Sequence, residues 1–306
     1  MAGKTGSTSA KDTEAVGDLY KFLAFIAIGF GLTLYLQVLR NRQYWIIMET
    51  VLGVLSLLMI PFAGTTISFY VNYDVDSLSI FLLRIMLLAK VSQTAALFLT
   101  RRSRDPTVAI AISTTNILSR AALLMCTLYG LYYTKNVSKF ALKCDLVTVS
   151  LLIIGDLFQL SKLSTREGSL TVGDPTSLHL SIDGLLTFIL GTWVFGFPKM
   201  FLSIVNPSIA IREGHVGTTQ VFGSFVCGLS VLSFAALCFK NNDDAISVLK
   251  SKLLLYAPVI LLAAVNYVLD SQYQHPGHTI PVIGGMGVLC LNAGYAVWDY
   301  EKEKLY

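Results

Sequence analysis

Long apolar runs, broken by short polar turns, set the pattern of this chain. Nine runs stand out: residues 19–39, 44–62, 78–99, 107–132, 142–161, 182–205, 218–239, 246–269 and 280–298. Most approach the ~20 residues that a helix needs to cross the hydrocarbon core of a bilayer. The pattern predicts an all-α fold, a polytopic integral membrane bundle of about nine transmembrane helices. The clearest pair of runs flanks the turn Arg101-Arg102-Ser103-Arg104-Asp105-Pro106. There Asp105 suits an N-cap, and Pro106 suits the first helical position, where a missing N–H costs nothing. Gly196 and Pro198 predict a kink in the sixth run, and Pro258 lies inside the eighth.

The turns divide the chain. Residues 1–18 form a polar N-terminal tail, expected to be disordered. A first membrane half of about five helices covers 19–161. A polar connecting loop spans 162–181, a second half of about four helices spans 182–298, and a charged tail covers 299–306. Ala95-Ala96-Leu97 before a turn at Thr100 resembles Ala235-Ala236-Leu237 before a turn at Lys240, which suggests a weak tandem repeat. Four helices per unit would make it a parallel repeat. Ser224 with Gly228, and Gly223 with Cys227, have the spacing that lets helices approach closely, within the chain or in a homo- or hetero-oligomer.

Composition narrows the class further. Hydrophobic residues make up 54% and charged residues only 14%, against about 25% charged in average proteins. The lipid bilayer is therefore the expected partner. The basic residues cluster at the ends of runs, so a nucleic-acid partner is not expected. The densest basic turns, 40–42 and 101–104, fall on one side, while 63–76 and 270–279 carry no Lys or Arg and fall on the other. This places the N-terminus outside or lumenal and the C-terminus in the cytoplasm. The five cysteines lack metal-ligand spacing, and His275 and His278 are too few for a site, so no metal and no cofactor are expected.

Charges inside apolar runs are the candidate chemistry, because a mid-bilayer charge costs ~2.5–3.5 kcal/mol on insertion scales. Glu49, Arg84, Lys90, Arg120 and Asp156 qualify. Asn116 lies four residues before Arg120, and Gln93 and Gln159 lie three after Lys90 and Asp156. A pocket of Glu49, Lys90, Asn116, Arg120 and Asp156 is predicted, with the carboxylates offsetting the cations. Lys250 and Lys252 are expected to snorkel to the inner surface. Tyr73-Asp74 and Gly155-Asp156 invite comparison with intramembrane aspartyl proteases of the GxGD type. Ile153, however, replaces the first glycine, Asp74 falls in a loop, and no Pro-Ala-Leu follows. With no catalytic motif found, an enzyme is not expected.

Two readings remain. One is a small-solute or proton-coupled carrier, in which the carboxylates exchange protons while Lys90 and Arg120 hold a polar or anionic solute. The other is a non-catalytic scaffold or accessory subunit whose buried charges pair statically.

Overall fold

A computed structural model of the chain describes Gly31 and residues 34–163, 174–205, 210–269 and 276–304, with side chains of the last segment from Ile280 onward. The tail 1–18, most of the first expected span, most of the connecting loop and the His275–His278 pair lie outside the described residues or side chains. Ten helices follow one another: α1 (Arg42–Met59), α2 (Ala63–Ser68), α3 (Ser77–Leu99), α4 (Pro106–Tyr133), α5 (Lys139–Ser161), α6 (Pro175–Gly196), α7 (Pro198–Val205), α8 (Glu213–Ala236), α9 (Asn242–Leu269) and α10 (Pro276–Glu303). Residues 34–40 are also helical. No strand occurs among the described residues, only an antiparallel bridge between Val71 and Val137.

Among the described residues, six helical segments are long and apolar enough to cross a membrane: α3, α4, α6, α8, α9 and residues 280–303 of α10. Their outward positions stay apolar. Leu185, Phe188 and Ile189 on α6, and Val288, Leu291 and Tyr295 on α10, are exposed, a stripe that suits lipid and would be costly in water. This is the surface of an integral membrane protein. The helices α1 and α5 are not among the six.

The chain divides into two compact units, residues 1–48 and Glu49–Tyr306. In the first, Asn41 Oδ1 accepts from the Gln43 N–H at 2.9 Å, and the Tyr35 ring meets Trp45 edge-on. The second unit holds the transmembrane helices. Local chemistry fixes their starts. Asp76 caps α3 by accepting from the Ser79 N–H at 2.8 Å, and Asp105 caps α4 through the Thr107 N–H at 3.0 Å. Pro106 and Pro175 occupy first-turn positions of α4 and α6. The α6 helix thus begins seven residues before the expected 182, inside the segment read as a connecting loop. The sixth expected span is two helices, α6 and α7, broken at Phe197 ahead of Pro198.

The centre of this unit is α8, which packs against α3, α4 and α6, while α9 packs against α3 and α10. Consecutive in sequence, α3 and α4 make little contact with each other. Gly228 explains how α8 serves both. A Cβ there would collide with Ser119 Oγ of α4 and approach Gln93 Nε2 of α3. Its absence lets Gln93 donate to Ser119 Oγ at 2.7 Å and to the Phe225 carbonyl at 3.3 Å. Gly191 of α6 likewise admits α8, since a Cβ would sit 2.7 Å from the Cys227 backbone N. The small-residue faces of α8 are therefore used inside the chain.

The helix ends sort into two layers. At one, the Asn72 N–H donates to the Asn136 carbonyl at 3.0 Å and the Ser138 N–H to the Tyr70 carbonyl at 2.7 Å. Arg212 reaches the Asp74 carbonyl, and Glu213 accepts from the Lys135 N–H. At the other, Ser103 Oγ donates to Asp244 at 2.6 Å and the Lys240 N–H to Asp105 at 3.0 Å.

Candidate functional site

Four of the five predicted site residues meet. Glu49 of α1 accepts from Arg120 of α4 at 2.5 Å and from Lys90 of α3 at 3.3 Å, both on Oε2. Arg120 pairs through its other terminal nitrogen with Asp156 of α5, and the same nitrogen donates to the Leu152 carbonyl at 3.3 Å. Among the described residues, two carboxylates and two cations therefore form one neutral cluster drawn from four helices. Removing such charges from water is tolerable only when they are paired and further hydrogen-bonded. Arg120 suits the centre because its planar fork holds two carboxylates at once.

Asn116 does not join. It is buried one turn before Arg120, and no bond links it to the four charges among the described residues. Gln93, three residues after Lys90, turns instead to α4 and α8. Arg84 is also outside the cluster, donating to the Ile60 carbonyl at 3.4 Å beyond the end of α1.

The four charges differ in access. Side-chain exposure is 1–3% for Glu49, Arg120 and Asp156 but 15% for Lys90. Lys90 borders a cavity of about 520 Å³, within the roughly 300–1,000 Å³ of small-molecule sites. Leu83, Met86 and Leu87 line it together with Lys90, at the i, i+3, i+4, i+7 spacing of one helix face. At 1.5 Å per residue, Lys90 lies roughly 20 Å along α3 from Ser77. Tyr70, Val137, Arg212 and Glu213 also line the cavity. In its wall Tyr70 donates to Asp145 at 3.1 Å. Burial, and then the Asp145 charge and hydrogen bond, push the Tyr70 hydroxyl above its ordinary range, so it remains a donor. Glu49 Oε1 is buried and has no hydrogen-bond partner among the described residues.

A second cluster corrects the sequence reading of Lys252. Its side chain is fully buried and pairs with Asp183 of α6, itself fully buried. Asp183 also accepts from Tyr256 at 2.7 Å and from Ser233 at 2.8 Å. Lys252 therefore does not snorkel, whereas Lys250 is exposed and pairs with Glu301. The signal for Asp183 was present: Asp174-Pro175 repeats the Asp105-Pro106 start. A helix from Pro175 sets Asp183 roughly 12 Å inside.

A third group joins α3 to α8. His215 is fully buried, and its Nε2 lies 3.0 Å from both Asp76 Oδ1 and Ser79 Oγ. Its Nδ1 accepts from the Arg212 N–H at 3.2 Å, so Nε2 carries the ring proton. A serine–histidine–aspartate relay needs Ser and Asp on opposite ring nitrogens. Here they share one, and the group is a fastener between helix starts.

With no strand and six apolar helices of spanning length among the described residues, and with paired charges sealed inside the bundle, the chain is a polytopic helical membrane protein. A family model described as Domain of unknown function (DUF8292) matches residues 45–297, and the chain belongs to that family. Neither the curated proteins nor the solved structures give a significant match to the chain.

Proposed function

We propose that this protein is a carrier of a small solute, with Lys90 as the contact between solute and buried charge. The observation that carries the reading is the position of Lys90. It borders the cavity of about 520 Å³ and is 3.3 Å from a carboxylate that Arg120 also holds. A solute at Lys90 can thus alter a charge network that ties together four helices. Arg120, locked between Glu49 and Asp156, holds the network and does not touch the solute. The scaffold reading is favoured by the other cluster, where Asp183 and Lys252 are sealed among α6, α8 and α9 and serve packing alone.

In this reading the bundle has nine transmembrane helices with lipid as its partner, a lumenal or external N-terminus and a cytoplasmic C-terminus. The basic turn 101–104 and the C-terminal residues then share the cytoplasmic layer, in keeping with positive-inside topology. A parallel repeat is supported by position and by contact. Lys252 and Tyr256 stand 136 residues after Asn116 and Arg120, and Asp183 stands 134 after Glu49. Each turn reaches the helix start beyond the other turn, Ser103 to Asp244 and Lys240 to Asp105.

The test is uptake by reconstituted proteoliposomes, screened with organic acids, amino acids, sugars and nucleosides. At least one solute enters faster than into protein-free vesicles, and Lys90→Gln slows it. If no solute moves above background, the carrier reading fails and the scaffold reading takes its place.

A further inference from the structure

Resting on the carrier reading, we propose that the cavity takes a small organic monoanion with an apolar body, bound together with one proton on Glu49. Lys90 is the one member of the four-charge cluster that lines the cavity. Its ammonium has three donors, and one is directed at Glu49. The walls beside it are apolar, with Leu83, Leu87, Leu123 and Phe225 among them. An anionic head at Lys90 with an apolar body against these side chains satisfies both surfaces. A cationic head has less to meet, since of the lining carboxylates Asp145 already accepts from Tyr70 and Glu213 from the Lys135 N–H.

Charge balance supplies the proton. Glu49 is faced by Lys90 from α3 and by Arg120 from α4, with Asp156 of α5 behind Arg120. Among the described residues that set is neutral. One added anion leaves a net negative charge in a low-dielectric interior, which is costly unless offset. Glu49 Oε1 lacks a hydrogen-bond partner among the described residues. A proton taken up there restores neutrality, and no other bond is made or broken. Anion and proton therefore bind one to one, and the loaded site carries no more charge than the empty one.

The test is titration calorimetry on the full chain in nanodiscs with three probes of one body: benzenesulfonate, benzenesulfonamide and benzylammonium. Benzenesulfonate binds at least about tenfold tighter than the other two, as expected for a charge pair shielded from water. Repeating the titration in buffers of different ionisation enthalpy shows uptake of one proton per anion. Lys90→Gln weakens sulfonate binding about tenfold or more, Lys90→Arg restores it, and Glu49→Gln binds sulfonate without proton uptake. The preference among probes is read on the unaltered protein and needs no variant to fold. If the sulfonamide or the amine binds as tightly, the anion assignment is overturned while the carrier reading stands. Sulfonate binding without proton uptake overturns the coupling. Affinity that climbs steadily through long alkanesulfonates overturns a small solute in favour of an amphiphile drawn from the bilayer. If no probe binds at millimolar concentration, the inference is overturned, and the uptake screen decides the carrier reading separately.

Discussion

Lys252 and Arg120 are both buried cations, and their partners give them different roles. Lys252 meets one carboxylate, Asp183, which Tyr256 and Ser233 also satisfy. Lys252→Met leaves Asp183 charged and buried, and breaking one side of such a pair costs about 3–5 kcal/mol. Thermal unfolding in detergent then shows a large fall in Tm for Lys252→Met, and Asp183→Leu combined with Lys252→Met recovers most of it. A double variant no more stable than the single one contradicts the pair as the cause. Arg120 holds two carboxylates, so Arg120→Gln strands both and destabilises more than Asp156→Asn. At this scale the sequence showed the first cluster because Glu49, Lys90, Arg120 and Asp156 interrupt runs already recognised as helices. Asp183 was less visible because residues 175–181 look polar, and only the Asp174-Pro175 start places it well inside α6.

At the scale of the element, helix starts and helix crossings carry the stability. Burial works against ionising Asp76, but the Ser79 N–H and hydroxyl and His215 outweigh it and hold the carboxyl below the ordinary carboxylate value. Burial likewise opposes ionisation of Asp105, and the Lys240 and Thr107 N–H groups overcome it. A carboxyl depressed in the folded state adds stability above its unfolded pKa, about 3.9 for Asp, and loses it as pH falls through the folded value. Asp76→Ala and Asp105→Ala therefore lower stability near neutral pH, by about 0.5–2 kcal/mol each as for other N-caps. Below the folded pKa values their melting points converge on that of the unaltered protein, and a gap that persists there refutes the assignment. Crossings are as exacting. Gly228→Ala drives a methyl into Ser119, parts Gln93 from the Phe225 carbonyl and lowers Tm, whereas Gly217→Ala, with open space around it, does not. The small-residue spacing on α8 was legible in sequence. That it admits α3 and α4 together was not, because spacing marks a face without naming the helix that fills it.

For the whole molecule, the two loop layers make a prediction about topology. Cys144, exposed near the start of α5, belongs to the layer of residues 70–76, 134–138 and 212–213. In vesicles of one orientation, an impermeant maleimide labels Cys144 from the same side as Asn136→Cys and from the opposite side to Arg102→Cys placed in a cysteine-free background. Labelling of all three from one side would break the proposed topology.

The sequence by itself determined the solvent, the helical class and the approximate ends of most helices, because hydropathy, Asp-Pro starts and basic turns are local properties of the chain. It also marked the charges that had to be paired, since an unpaired charge in hydrocarbon is too costly to leave. The tertiary structure decided which residue answers which. It set α8 between α3 and α4, gave Lys252 to Asp183, and left Lys90 alone of four charges beside a cavity. Pairing depends on which helix faces lie within a few ångströms, and that distance belongs to the packing of the whole bundle.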